Sequence, residues 1–326
     1  MILDKRITIK GEFMKNLDKY IGVTLISTIL LLSSACNKKT SKTEQYVSDE
    51  SSIIEEVSKT IGSNLDANES SSSNSMNKIS EKSMVILDSN TECSQMAFLA
   101  VCSVDPIDGL GVKNAQFNSC QIEKLRNFQT VELNGSVQLK YSSSTCELES
   151  VGESVTRTYN MQYSTAYNAS VTITSEDTNA IDPVTGEVIS IGGGAQLTHE
   201  SSGWLLNILG KNVTVKNSNG VLISDLSIRT ANPIVGHGYR YDGTRVVDSG
   251  SVEVYHKLAK FKSSLSVHNL KYNTQCCHPV SGTIDLNYQS AEKSWTGVLN
   301  ISGCGTAELT KSGESTSQSI SFNTCE

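Results

Sequence analysis

From Val131 to Ile301 the chain is dominated by short runs in which apolar and polar residues alternate. Val131-Glu-Leu-Asn-Gly-Ser-Val-Gln-Leu-Lys-Tyr141 sets Val131, Leu133, Val137, Leu139 and Tyr141 on one side of an extended chain, because successive strand side chains point to opposite faces. The same period recurs in Ser251-Val-Glu-Val-Tyr255, Ser264-Leu-Ser-Val267, Thr283-Ile-Asp-Leu-Asn-Tyr288 and Gly297-Val-Leu-Asn-Ile301. Helical periodicity past Cys120 is nearly absent, while Val and Thr, which suit a pleated surface, are frequent. Trp204-Leu-Leu-Asn-Ile-Leu209 is the most continuous apolar run and predicts a central strand.

Turn chemistry agrees with this pattern. Asn219-Gly220 and Asp242-Gly243 supply the positive φ angles of tight hairpins, and Asp182-Pro183-Val-Thr-Gly186 predicts another reversal. The predicted class is all-β, an antiparallel meander forming a sandwich or a strongly coiled, barrel-like sheet that protects its edges. Four segments share a plan of Gly, hydroxyl residue, apolar, polar, apolar: Gly135 to Leu139, Gly250 to Val254, Gly282 to Leu286 and Gly305 to Leu309. Their spacing is irregular, so they read as convergent strand chemistry rather than a solenoid repeat.

The pattern changes upstream. From residue 36 to 82 the composition shifts to Ser, Asn, Glu and Lys, with Ser70-Ser-Ser-Ser73 at its centre. Such a stretch buries too little apolar surface to offset its ordering entropy and predicts a disordered tether. Within it, Ile53, Ile54, Val57 and Ile61 fall on one helical face, and Ser52 with Glu55 fits a capping box, so a short helix is expected near 52–62. A single β domain is expected over 83–326.

Residues 1–35 read as a signal peptide. Ile21 to Leu32 is apolar and uncharged, too short to span a bilayer comfortably but suited to an export signal, and Lys15 and Lys19 precede it. Met14 is a natural start, with the codons for Lys10-Gly11-Glu12 able to carry a ribosome-binding sequence. Leu32-Ser-Ser-Ala-Cys36 resembles a lipobox, with Ser33 where the usual Leu would stand. That resemblance implies cleavage before Cys36, acylation of Cys36 and anchoring in a lipid bilayer. Asn37, in place of the Asp of an inner-membrane retention signal, implies the outer membrane.

Charge narrows the partners. The chain carries −7, and Lys5, Arg6, Lys10, Lys15 and Lys19 against Asp4, Glu12 and Asp18 give +2 before Cys36, so the remainder carries −7 − 2 = −9. No Lys/Arg stripe is present, which disfavours nucleic acid as a partner. Apart from Cys36 there are eight cysteines: Cys93, Cys102, Cys120, Cys146, Cys276, Cys277, Cys304 and Cys325. An even number in an exported chain predicts disulfides. Proximity pairs Cys93 with Cys102 and Cys120 with Cys146, and pairs Cys276 and Cys277 with Cys304 and Cys325 in either order. Cys276-Cys277-His278 offers metal-ligand types, but adjacent residues rarely converge on one ion, so no metal is expected there.

From Asn118 onward the chain resembles a family of uncharacterised bacterial lipoproteins. The resemblance lies in Asn118-Ser-Cys120, Val155-Thr-Arg-Thr-Tyr159, Cys277-His-Pro-Val-Ser-Gly282, Gly303-Cys-Gly-Thr-Ala307 and Cys325. It implies a secreted, disulfide-stapled β protein of predatory or environmental Gram-negative bacteria, and it transfers no activity.

Candidate chemistry is sparse. There is no Gly-x-Ser-x-Gly elbow, and His199-Glu-Ser-Ser202 places its groups on diverging sides of a strand. Asp225, Glu253 and Asp285 sit on predicted strands and could face a groove as glycosidase carboxylates, but almost any β protein offers similar candidates and they read as the solvent face. Gly192-Gly-Gly194 does not open a helix and reads as a turn rather than a phosphate loop. Glu176-Asp177-Thr-Asn179 with Asp182 could offer oxygen ligands to calcium, or form an Asx-bonded turn. No cofactor is expected. The sequence therefore points to an envelope-anchored, non-enzymatic binding or structural module of unknown ligand. An assembly factor contacting membrane proteins and a hydrolase of envelope polymers are its rivals.

Overall fold

Strand alternation carries through to the three-dimensional structure, a computed structural model that describes residues 101–124, 129–164, 170–239, 243–274, 276 and 278–321. Cys36, the expected signal peptide, the tether and the helix near 52–62 lie outside the described residues. Sixteen strands follow one another: β1 (Ser103–Val104), β2 (Gly111–Lys124), β3 (Gln129–Tyr141), β4 (Ser154–Ser164), β5 (Ser170–Thr174), β6 (Thr178–Ile181), β7 (Val188–Ile191) and β8 (Gly194–Glu200). They continue with β9 (Gly203–Lys216), β10 (Leu222–His237), β11 (Val246–His256), β12 (Phe261–Lys271), β13 (Ser281–Ser290), β14 (Ser294–Gly303), β15 (Thr306–Lys311) and β16 (Gln318–Ser321). The described residues contain no helix, and the chain is all-β, as its sequence predicts.

Fourteen strands form one antiparallel meander; thirteen follow the order β1-β2-β3-β4-β5-β9-β10-β11-β12-β13-β14-β15-β16, and β8 lies off that path, paired with β4 and β9. The place between β4 and β9 is shared by two short strands. β5 pairs with Asn160–Ser164 of β4, and β8 pairs with Ser154–Arg157 of the same strand. Between them the chain leaves the sheet to form the separate β6–β7 hairpin and returns through Gly192-Gly-Gly194. Gly192 and Gly193 thus lie between strands, as expected, while Gly194 opens β8, and the triplet serves the return from that excursion.

One face of the sheet is apolar and buried. Val252, Leu265, Val267 and Leu299 have 0% exposure, with Ile284, Leu286, Ile301 and Leu309 almost as covered. The register places them opposite one another: Val252 faces Leu265, Leu265 faces Leu286, and Val267 faces Ile284. Leu133, Val137, Leu139 and Tyr141 are buried together on β3, as their alternation predicts. In β9 the run Trp204–Leu209 is central as expected, yet it too alternates. Trp204, Leu206 and Ile208 are buried and Leu209 is 41% exposed.

Two of the four glycine-led segments have a shared physical cause. Residues 233 and 234 of β10 stand opposite the single Gly250 of β11, and residues 269 and 270 of β12 stand opposite Gly282 of β13. Each is a bulge, which bends a strand and increases its twist. A Cβ on Gly250 would lie 2.6 Å from the Ile234 Cα, and one on Gly282 would lie 2.8 Å from the Leu270 Cα. Gly250 and Gly282 also adopt φ of 136° and 117°, where a side chain is strained. The Gly250 and Gly282 segments therefore mark bulges in the neighbouring strand rather than a repeated unit.

Two disulfides close the same end of the sheet. Cys102 is bonded to Cys146 with a Cα separation of 5.8 Å, and Cys276 to Cys304, also at 5.8 Å. The first corrects the pairing by proximity, since Cys102 cannot join Cys93 nor Cys146 join Cys120. The reason is topological: β2 and β3 form a long hairpin that carries the chain away and back. The segment before β1 thereby returns beside the β3–β4 loop, where the Gly111 N–H bonds the Ser143 carbonyl at 2.7 Å. The second disulfide matches one of the two expected partners for Cys276. Cys93, Cys277 and Cys325 lie outside the described residues.

Candidate functional site: a hairpin strapped across charged strands

The polar face of the sheet carries a second layer in one place. Across β9, β10, β11 and β12 the register aligns Asn212, Ser227, Tyr255 and Lys262 in one row. Arg229 and Glu253 face each other two residues further along. The β6–β7 hairpin lies over these groups, and Ala180 and Ile191 (both 0% exposed) pack with the Tyr255 ring.

Asn212 reads the hairpin's backbone. Its Nδ2 donates to the carbonyls of Glu176 and Ile191, both at 2.9 Å, one at each side of the hairpin base. Its Oδ1 accepts from Thr178 Oγ1 at 2.7 Å and from Ser227 Oγ at 2.5 Å. Lys257 Nζ donates to Thr178 Oγ1 at 3.0 Å and pairs with Asp225 at 3.3 Å. Further along, Glu253 receives Arg229 at 2.8 Å, Lys262 at 2.8 Å and the Tyr255 hydroxyl at 2.9 Å. Lys262 also reaches Asp182 in the hairpin turn at 3.4 Å. Arg229 and Lys262 lie over the Tyr255 ring, at 5.6 and 5.4 Å from its centroid.

Electrostatics follow from this pairing. Burial works against the charge on Glu253, but the hydrogen bonds from Lys262, Arg229 and Tyr255 outweigh it and hold the carboxyl below its usual range. Burial likewise opposes charge on Asp182, and the N–H groups of Thr185 and Val184 with the Lys262 ammonium overcome it. Burial disfavours the Lys262 ammonium, yet Glu253 raises its pKa above the ordinary lysine value. Burial, then Glu253, pushes the Tyr255 phenol up. Arg229, Lys257 and Lys262 balance Asp182, Asp225 and Glu253, so the cluster works as a lock that holds the hairpin on the sheet.

The sequence-derived carboxylates do share one face, but they are not convergent. Asp225 is held by Lys257, Glu253 by Arg229 and Lys262, and Asp285 by His268 at 2.9 Å. From the register, Asp225 lies four residues along from the position facing Glu253, and Asp285 lies two strands and two residues away from it. At strand dimensions these offsets correspond to roughly 12–14 Å between Cα atoms. Glycosidase carboxyls stand roughly 5–9.5 Å apart, one of them protonated. A depressed, doubly paired Glu253 is a poor proton donor.

The histidines are dispersed. His199-Glu200 closes β8 against Gly203-Trp204, with Ser201-Ser202 as the turn, a polar strand end. His237 pairs with Asp248 at 3.0 Å, and the His256 ring packs at a tilt against Phe261 while its Nδ1 accepts the Ala259 N–H. Cys276 is consumed by its disulfide, which removes it from any Cys-Cys-His ligand set. In the proposed calcium turn, Asp182 Oδ1 accepts the N–H groups of Val184 and Thr185 at 2.8 and 3.1 Å, the Asx alternative. Among the described residues no group of three or more His, Cys, Asp and Glu side chains is placed to hold a metal ion.

Glu253 and Asp182 stand out in the sequence as candidates, but their partners do not. Asn212, Arg229, Tyr255 and Lys262 sit on four different strands, and no local pattern marks residues that meet only through sheet register. Comparison of the chain with protein-family models, with curated proteins and with solved structures finds no match.

Proposed function

We propose that this chain is an exported envelope lipoprotein, anchored through acylated Cys36 at the outer membrane. Its β sheet acts as a rigid, non-enzymatic binding or structural module on a flexible tether. The observation that carries this reading is the pair of disulfides, Cys102–Cys146 and Cys276–Cys304, in a chain that opens with a signal-like segment and lipobox. Structural disulfides belong to oxidising compartments, where a short tether and a stapled sheet are useful. The pairing of Glu253 with Arg229 and Lys262, and the separation of Asp225 and Asp285 from it, argue against the carboxylate hydrolase.

A second reading, an assembly factor that contacts membrane proteins through a strand edge, draws on β2. Among the described residues, β1 pairs only with Gly111 and Val112 of this 14-residue strand, and exposed strand edges can accept a further strand.

Mass spectrometry of the mature N-terminus, combined with protease treatment of intact cells, tests the proposal. Diacylglyceryl and acyl groups on Cys36 are expected, and Cys36→Ser should move the protein out of the membrane fraction. Cleavage between residues 37 and 82 in intact cells places the sheet outside and favours the binding module. Protection lost only on permeabilisation favours the periplasmic assembly role. An unmodified mature N-terminus at another residue overturns the anchor.

A further inference from the structure

The β6–β7 hairpin is fixed from beneath and apolar on top. Its outer side carries Ile181, Val184 and Val188, exposed by 64%, 60% and 61%. Ile181 and Val188 are direct cross-strand neighbours and Val184 sits in the connecting turn, so the three form one aliphatic patch. A flexible loop could hide such residues by collapsing, but this hairpin is held by Asn212, Lys257 and Lys262.

The turn is finished in a way that water does not require. Asp182 N–H donates to the Glu187 carbonyl and Gly186 N–H to the Asp182 carbonyl, both at 2.9 Å. Val184 and Thr185 N–H donate to Asp182 Oδ1, and Glu187 N–H to Thr185 Oγ1 at 3.3 Å. Pro183 has no N–H. Every backbone donor from 182 to 187 is therefore satisfied within the turn. That condition matters most against hydrocarbon, where an unpaired N–H has no water to bond.

The composition separates a lipid from a protein partner. From Thr178 to Ile191 there is no Lys, and neither an aromatic residue nor Arg, the types on which protein interfaces concentrate their energy. The acidic Asp182 is turned inward onto Lys262, leaving Glu187 as the outward carboxylate of the tip. A hairpin with aliphatic groups and no Arg or Lys of its own suits a neutral lipid surface rather than an anionic one.

We infer that the tip formed by Ile181, Val184 and Val188 dips into the acyl region of the bilayer to which the chain is tethered. This rests on the proposed Cys36 anchor, which supplies proximity; the hairpin fixes how the sheet faces the membrane, lying against it rather than swinging free. The contact is shallow and apolar, so neither salt nor anionic lipid strengthens it through charge.

The test uses the full acylated chain on phosphatidylcholine vesicles whose acyl chains carry bromine, a contact quencher of tryptophan. Val184→Trp adds a probe at an exposed position, and emission from Trp204 and Trp295 is subtracted using the parent protein. With the tip roughly 5–10 Å into the interface, the added emission should fall about twofold or more relative to unbrominated vesicles. Adding Ile181→Ser and Val188→Ser should abolish that quenching while the far-ultraviolet circular dichroism is unchanged. Replacing part of the lipid with phosphatidylglycerol should not increase it. Protein that floats with the vesicles but shows unquenched probe emission overturns the hairpin contact and leaves the anchor standing, a result that would direct attention to a protein partner. Protein that fails to float overturns both.

Discussion

Asn212 concentrates more of the hairpin's attachment than any other side chain in the lock. It is 1% exposed and holds both carbonyls of the hairpin base together with two hydroxyls. Asn212→Ala leaves these groups unpaired under cover, which costs about 2–4 kcal/mol, since a buried polar group without its partner bears its desolvation penalty. Urea denaturation should show the loss, and hydrogen exchange should show it centred on residues 178–191. Glu253 makes a pH-dependent contribution. Its folded pKa lies below the unfolded reference of about 4.3, so its stabilisation is present above that value and lost as pH falls through the folded one. Asp182 acts in the same direction. Lys262 is raised, so its share is present below about 10.4 and lost at higher pH. Glu253→Gln should cost about 1–3 kcal/mol at neutral pH and flatten the acid limb of a stability–pH profile. An unchanged acid limb would remove Glu253 as its source.

At the scale of elements, the strands and most reversals were legible because a sheet with one buried face imposes a period of two on its sequence. Gly220 at φ 75° and Gly243 at φ 76° stand where Asn-Gly and Asp-Gly place them. The β6–β7 hairpin was legible only as a turn. Its crossing over β9–β12 depends on Asn212 and Lys262, whose distance in sequence hides their role. The disulfide of Cys102 was misread for the related reason that proximity along the chain is a poor guide once a long hairpin returns. The glycine-led segments were visible, but the meaning of Gly250 and Gly282 was not, since a bulge belongs to the partner strand. Gly250→Ala should cost roughly 1–3 kcal/mol through backbone strain and the forced retreat of Ile234. Ser249→Ala, at an exposed neighbour, should stay within about 0.5 kcal/mol in the same thermal melts.

For the whole molecule, both disulfides lie at the end of the sheet where β3 and β14 finish and β15 begins, and the opposite end has none among the described residues. Replacing Cys276 and Cys304 together by Ser should lower stability by about 2–4 kcal/mol, measured by urea unfolding without reductant. Cys102 has another significance. It is the first described covalent junction after the N-terminal region, and the bond to Cys146 spans 44 residues. If the N-terminus is anchored as proposed, a pull on it passes directly into the loop after β3 instead of peeling β1, β2 and β3 away in turn. Roughly 150 Å of extended chain stays withheld while the bond is intact, at about 3.4 Å per residue. Single-molecule stretching should release that length only after reduction.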